Sequence, residues 1–175
     1  MGKRERILRG IYEKRRLGAT LYVISALISL MIAMVFLSYL GLMILLEGNF
    51  KEVLRLTVTT GFPFFVVGLL RQIIAAPRPY ELYSFYEECP KRRFFRKSTP
   101  EKGGASFPSR HAYSAFAIGT VLSFVDPWCI LIFGIPAVVM CVCRVLLGIH
   151  FIRDVVAGAA IGVVAGVLGK FLLVF

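Results

Sequence analysis

Residues Leu17 through Leu46 run for thirty positions without one charged side chain. A bilayer is the solvent that such a run fits: about 20 mostly apolar residues cross its hydrocarbon core as a helix, and a helix satisfies its own backbone groups there. The basic stretch from Met1 to Arg16 in front of it has the look of a signal peptide. The apolar run is too long for a cleaved one, however, so it reads as a spanning helix. Gly2 does not open a myristoylation signal, because Arg6 stands where Ser or Thr is required.

Once one helix lies in lipid, the rest of the chain falls into the same pattern. The segments Ala19 to Leu46, Lys51 to Ala75, Ser109 to Val125, Trp128 to Gly148 and Asp154 to Phe175 are each close to spanning length. The chain is 58% hydrophobic, above the roughly half that a soluble domain carries. No strand alternation or repeat is present, so the expected fold is all-α: one membrane-embedded domain over 1–175, a bundle of about five transmembrane helices. Residues 77–106 contain Pro77, Pro79, Pro90, Pro100 and Gly103-Gly104, and read as a polar loop. Asp126-Pro127 marks a tight turn. The basic segment 1–16 carries Ile7, Leu8, Ile11 and Tyr12 at helical spacing, which suits an amphipathic helix at the interface. Phe94 and Phe95, set among Lys91, Arg92, Arg93, Arg96 and Lys97, suit insertion of two rings among anionic headgroups.

A net charge of +11 would suggest nucleic acid in a soluble protein; here its placement decides. Five crossings put the N-terminus, the loop and the junction of the last two helices on one face, with 18 of the 21 Lys and Arg. Setting aside Arg71, Arg78, Arg110 and Arg144 leaves a bias of 14 to 3, which places that face in the cytosol, with a bacterial plasma membrane as the expected location. The partners expected are therefore membrane lipids, with no nucleic acid. Cys89, Cys129, Cys141 and Cys143 form no C-x-x-C pair; neither a disulfide nor a metal site is expected.

The two histidines of the chain, His111 and His150, both fall at helix boundaries on the polar face. Asp154 follows His150 by four residues, so its carboxylate can hold one ring nitrogen and orient the other. Arg144 sits near the end of the fourth helix, Ser109 and Arg110 at the start of the third, and Arg71 and Arg78 about two turns apart at the end of the second. Ionisable groups beside spanning helices are costly and usually functional. Cations converging with few carboxylates suit a polyanion, whose phosphate oxygens guanidinium forks match well. A helix opening at Ser109 adds unpaired N–H groups.

These residues resemble the pattern K-x6-R-P, P-S-G-H, S-R-x5-H-x3-D of the type 2 phosphatidic acid phosphatase superfamily, the lipid phosphate phosphatases, which share their site with vanadium haloperoxidases. Here the blocks read R-Q-I-I-A-A-P-R-P from Arg71 to Pro79, P-S-R-H from Pro108 to His111, and C-R-V-L-L-G-I-H-F-I-R-D from Cys143 to Asp154. The resemblance implies His150 as the nucleophile that becomes a phosphohistidine, Asp154 as its holder, and His111 as the acid and then the base. It implies Arg71, Arg78, Ser109, Arg110 and Arg144 as phosphate-binding residues, with no metal and no cofactor. Three positions depart from the pattern: Arg71 replaces Lys, Arg110 replaces Gly and Cys143 replaces Ser.

The function so implied is a membrane phosphatase acting on a lipid phosphate monoester or diphosphate of the phosphatidate or phosphatidylglycerophosphate type. A polyprenyl diphosphate phosphatase of the same mechanism is the alternative. A vanadate-dependent haloperoxidase would share the anion site, but the five spans speak against it. A non-catalytic membrane protein that binds or transports phosphate lipids would keep the arginines, and the complete set of His150, Asp154 and His111 speaks against that. Gly158, Gly162 and Gly166 form a double G-x-x-x-G ridge on the last helix, which serves close packing within the chain or, as a second use, a homodimer.

Overall fold

The computed structural model describes residues 3–82 and 105–172. All regular elements among them are helices. The basic N-terminal segment forms α1, Lys3–Glu13, which buries Leu8 while leaving Ile7 about half exposed. Lys14 breaks the chain before α2, Arg15–Leu42. That helix widens into a π turn, Met43–Glu47, and Gly48 closes it with a positive φ of 60°.

Asn49 starts α3, Phe50–Ile74, by accepting the Glu52 N–H on its side chain at 3.2 Å. Inside α3, Pro63 has no N–H to give to the preceding turn. Beside that gap, the Thr60 carbonyl accepts the Tyr113 hydroxyl at 2.8 Å, a cross-link to another helix where the ladder of α3 is weakest. Ala75 ends α3 in the left-handed region. The stretch expected as loop from residue 77 begins with one helical turn, α4, Pro79–Leu82, because Pro79 is pre-set for a first helical position. Phe94, Phe95 and their basic neighbours lie outside the described residues.

The remaining helices are α5, Arg110–Ser123, α6, Cys129–Leu146, and α7, Ile152–Leu172. The expected turn between α5 and α6 is present, with Asp126 Oδ1 accepting the Trp128 N–H at 3.0 Å. Four helical stretches, Arg16–Glu47, Phe50–Leu82, Cys129–Leu146 and Ile152–Phe171, are long and apolar enough to cross a membrane. They leave large apolar side chains such as Leu45, Phe65, Ile73 and Phe171 on the outside, as lipid-facing surfaces do.

The third expected crossing corresponds to α5, which is only 14 residues long. At about 1.5 Å per residue it is shorter than the hydrocarbon core. It is the inner helix of the bundle, with Ala112, Tyr113, Ala115, Ala117, Val121 and Leu122 all buried. α7 runs beside it in the same direction. A Cβ on Gly158 would overlap the Ser109 carbonyl, one on Gly162 would lie 2.5 Å from the Tyr113 carbonyl, and one on Gly166 would lie 2.7 Å from the Thr120 side chain. Packing of α7 on α5 within one chain thus accounts for the whole glycine ridge.

Candidate active site

Because α5 and α7 run away from one end of the bundle while α3 and α6 run toward it, four helix ends meet there. Arg71 lies on the last turn of α3, Ser109 caps α5, Arg144 lies on the last turn of α6, and His150 and Asp154 flank the start of α7. Arg78 is the exception to the expected geometry. It lies beyond the left-handed end of α3 rather than two turns along it, because the Pro77-Arg78-Pro79 run cannot continue the helix.

Loops tie these ends together. The Tyr80 N–H bonds to the Gly148 carbonyl at 3.2 Å, joining the Arg78 segment to the turn between α6 and α7. Gly148 turns that corner with a φ of 69°, in the region that favours glycine. The Ser106 N–H bonds to the Ala76 carbonyl at 2.9 Å, and the Ser109 N–H to the Asp154 carbonyl at 2.9 Å. The Arg71 guanidinium donates to the carbonyl of Ala105, which itself holds a positive φ of 28°. Strain at a non-glycine residue of this kind collects at functional sites.

At the centre, His150 and Asp154 are buried almost completely. His150 Nδ1 is 3.7 Å from Asp154 Oδ2, longer than a hydrogen bond, and 3.4 Å from Ser106 Oγ. The Ser106 hydroxyl donates to Asp154 Oδ2, which also accepts the Phe151 N–H at 2.8 Å. Asp154 therefore reaches the ring partly through a serine that the sequence motifs did not single out. Asp154 Oδ1 has the Arg153 guanidinium at 3.5 Å. Burial pushes His150 below its ordinary value of 6.5, against the upward pull of Asp154 and with the neighbouring arginines adding to the depression.

The arginines face this pair. The charges of Arg78, Arg71 and Arg144 all act on His150, and those of Arg144, Arg110 and Arg71 act on His111. Arg144 keeps a buried Nε–H with no hydrogen-bond partner among the described residues. A buried donor without a partner is costly, and an anion in the site would satisfy it. Ser109 is fully buried and accepts the Ala112 N–H as the cap of α5. It thereby fixes the direction in which His111 enters the site.

Arg110 and His111, on the first turn of α5, also open onto a second space. A cavity of about 520 Å³ lies between α2, α3, α5 and α6, walled by Leu30, Ile32, Phe64, Ile118 and Met140, with Arg110 and His111 at its polar end. The Arg110 guanidinium rests 5.6 Å above the Phe64 ring. None of Arg71, Arg78, Arg144 or His150 lines this cavity. Arg110 lines this cavity and also stands near enough to Arg71 for the two charges to act on each other.

Among the described residues no group of three His, Cys, Asp or Glu comes together that could hold a metal ion. Tyr22, on α2, lies within electrostatic reach of Arg144, a link with no signal in the sequence because Tyr22 sits inside an apolar run. Ser106 was equally silent, being one hydroxyl in a loop.

Residues 52–171 match the family profile of the PAP2 superfamily. The chain belongs to the PAP2 superfamily. Membership makes it a phosphatase of that superfamily and so a hydrolase. No curated protein and no solved structure matches the chain significantly. All eight expected site residues of this PAP2 protein lie inside the matched stretch, whereas α1 and α2 lie outside it.

Proposed function

We propose that this PAP2 protein is a metal-independent lipid phosphate phosphatase. It hydrolyses a lipid phosphate monoester or diphosphate through a phosphohistidine, with its site at the cytosolic face of a bacterial plasma membrane. The observation that carries the reading is the convergence of Arg71, Arg78 and Arg144 on the buried His150 and Asp154 at one end of a bundle of lipid-facing helices. The bias of basic residues toward that end supports the cytosolic orientation.

The chemistry follows from the placement of the ring. Nδ1 faces the Ser106 hydroxyl and the Asp154 carboxylate, so the proton belongs on Nδ1 and the lone pair on Nε2. Nε2 attacks phosphorus, and the bond from phosphorus to the leaving oxygen breaks. His111 gives its proton to that oxygen. The developing charge on the phosphoryl oxygens meets the arginines, and the positive charge on the modified ring meets Asp154. Water then attacks the phosphohistidine, His111 takes its proton, and the nitrogen–phosphorus bond breaks to release phosphate and restore His150. The sum is one substrate and one water giving one phosphate and one leaving lipid.

The test is phosphate release by purified protein from phosphatidate, phosphatidylglycerophosphate and prenyl diphosphates in the presence of a chelator. His150→Ala is expected to lower kcat by roughly 10³-fold or more, as loss of a nucleophile does. Turnover by that variant at the parent rate, or turnover that requires an added divalent metal, would sink the reading.

A further inference from the structure

We propose that Arg153, which falls between the motif residues His150 and Asp154, is a positioning residue of the reaction: it holds the second oxygen of Asp154 and so fixes the plane in which that carboxylate presents the first to the His150 ring. The inference rests on the phosphatase reading above, in which His150 attacks phosphorus.

The two oxygens of Asp154 are served unequally. Oδ2 accepts the Ser106 hydroxyl and the Phe151 N–H and stands 3.7 Å from His150 Nδ1. Oδ1 is buried and has no hydrogen bond among the described residues. A buried carboxylate oxygen without a donor is costly, and the terminal torsion of an aspartate is soft, so one held oxygen does not by itself fix the plane. The cation against Oδ1 is Arg153, whose Nε lies 3.5 Å away, at the edge of hydrogen-bond reach.

Arg153 is placed for this task from outside. Its side chain is 67% exposed while the Asp154 side chain is fully buried, so the guanidinium works from the rim on a group within. It is steadied there by the Phe151 ring, whose centroid lies 5.1 Å from the guanidinium carbon. Phe151 thus serves both oxygens, giving its N–H to Oδ2 and supporting with its ring the cation that faces Oδ1. An arginine at a membrane end has a plainer use as a snorkelling interface residue. Against that use, Arg153 stands on the first turn of α7, where the helix dipole disfavours a cation, and its two contacts both bear on the holding of Asp154. The charge of Arg71 also acts on Asp154, and those of Arg78, Arg71 and Arg144 act on His150. Arg153 is the cation that can be removed while those phosphate-binding arginines stay in place.

The experiment measures phosphate release by Arg153→Gln and Arg153→Lys, with the lipid of the phosphatidate, phosphatidylglycerophosphate and prenyl diphosphate panel that the parent turns over fastest. Arg153→Gln is expected to lower kcat about five- to tenfold with KM within about twofold of the parent, a smaller loss than a buried partner gives because water screens an exposed charge. Its acid limb should move to higher pH, since removing a cation beside the pair lets the His150 ring take up a proton more readily. Arg153→Lys keeps the charge and should leave the limb where the parent has it. A raised KM with kcat intact would make Arg153 a headgroup contact, and a parent-like kcat and acid limb in Arg153→Gln would make it a solvated interface residue. Either outcome overturns the inference and leaves the phosphatase reading standing. Release of phosphate from no lipid of the panel by the parent would defeat that reading, and the inference with it.

Discussion

Asp154 Oδ2 stands 3.7 Å from His150 Nδ1, and the Ser106 hydroxyl lies against both, donating to the carboxylate and sitting 3.4 Å from the ring nitrogen. The carboxylate fixes the ring with the help of a third residue. Since the hydroxyl gives its proton to Asp154, its oxygen is left to accept the proton on Nδ1, and that arrangement keeps the lone pair on Nε2.

Ser106→Ala is therefore expected to lower kcat by about 10- to 100-fold, as the loss of a partner behind a reacting ligand does, while KM changes little. Ser106 is a positioning residue, so a merely structural role has to be set apart. The variant should unfold within a few degrees of the parent and should show an altered acid limb in its pH profile, because Nδ1 would face a carboxylate alone. An unchanged kcat, or a KM effect with kcat intact, would remove Ser106 from the mechanism.

The depressed His150 makes a prediction about pH. Burial holds its folded value below 6.5, so more than half of the attacking rings are neutral at pH 6.5. Activity governed by this ring falls at a more acid pH than an ordinary histidine would give. Stability has the same sign: below pH 6.5 the unfolded chain takes up a proton that the folded chain refuses, so folding weakens as pH falls toward the folded value. The thermal midpoint of the parent should drop over that window more steeply than that of His150→Gln, which has no ring to titrate. Parallel curves for the two proteins would refute the assignment.

Tyr113→Phe removes a hydroxyl that bonds to the Thr60 carbonyl at 2.8 Å next to the break at Pro63. The expected cost is about 0.5–1.5 kcal/mol, read as a lowered thermal midpoint in detergent, with kcat close to the parent value. Tyr113 lies in the packed interior and touches none of the reacting groups, so a loss of activity at full stability would show that α5 has to be held from this point for His111 to work.

Much of this was readable from the chain because membrane constraints act through composition. The uncharged run from Leu17 to Leu46 forces a helix, and the spacing from His150 to Asp154 survives as proximity in space. What periodicity could not supply was the behaviour of the ends. Arg78 looked two turns from Arg71, yet Pro77 and Pro79 throw it off the helix, and the chain returns through Tyr80 to Gly148 instead. Ser106 gave no signal because a single loop hydroxyl has no pattern. The motif that groups Arg110 with its neighbours gave no sign of the cavity that it and His111 also line. α5 was expected as one more crossing; its 14 residues gain their place from burial between other helices rather than from length.

That burial can be tested at the glycine ridge. Gly158 lies under the Ser109 carbonyl, where an added Cβ would overlap backbone rather than a movable side chain end. Gly158→Ala must push α7 off α5, and is expected to cost about 1–3 kcal/mol, the range of overpacking in a tight core. Gly134→Ala on α6 is the matched control. Nothing lies within 4 Å of its added Cβ, so it should be neutral or stabilise by up to about 1 kcal/mol through the lower entropy of the unfolded chain. The two substitutions also differ in their effect on catalysis. The hydrogen bond from the Ser109 N–H to the Asp154 carbonyl spans the same α5–α7 contact, so separating the helices at Gly158 moves His111 away from the His150 pair. Gly158→Ala should therefore lose kcat even at temperatures where it is fully folded, and equal activity in the two variants would show that the site tolerates a looser bundle than this geometry implies.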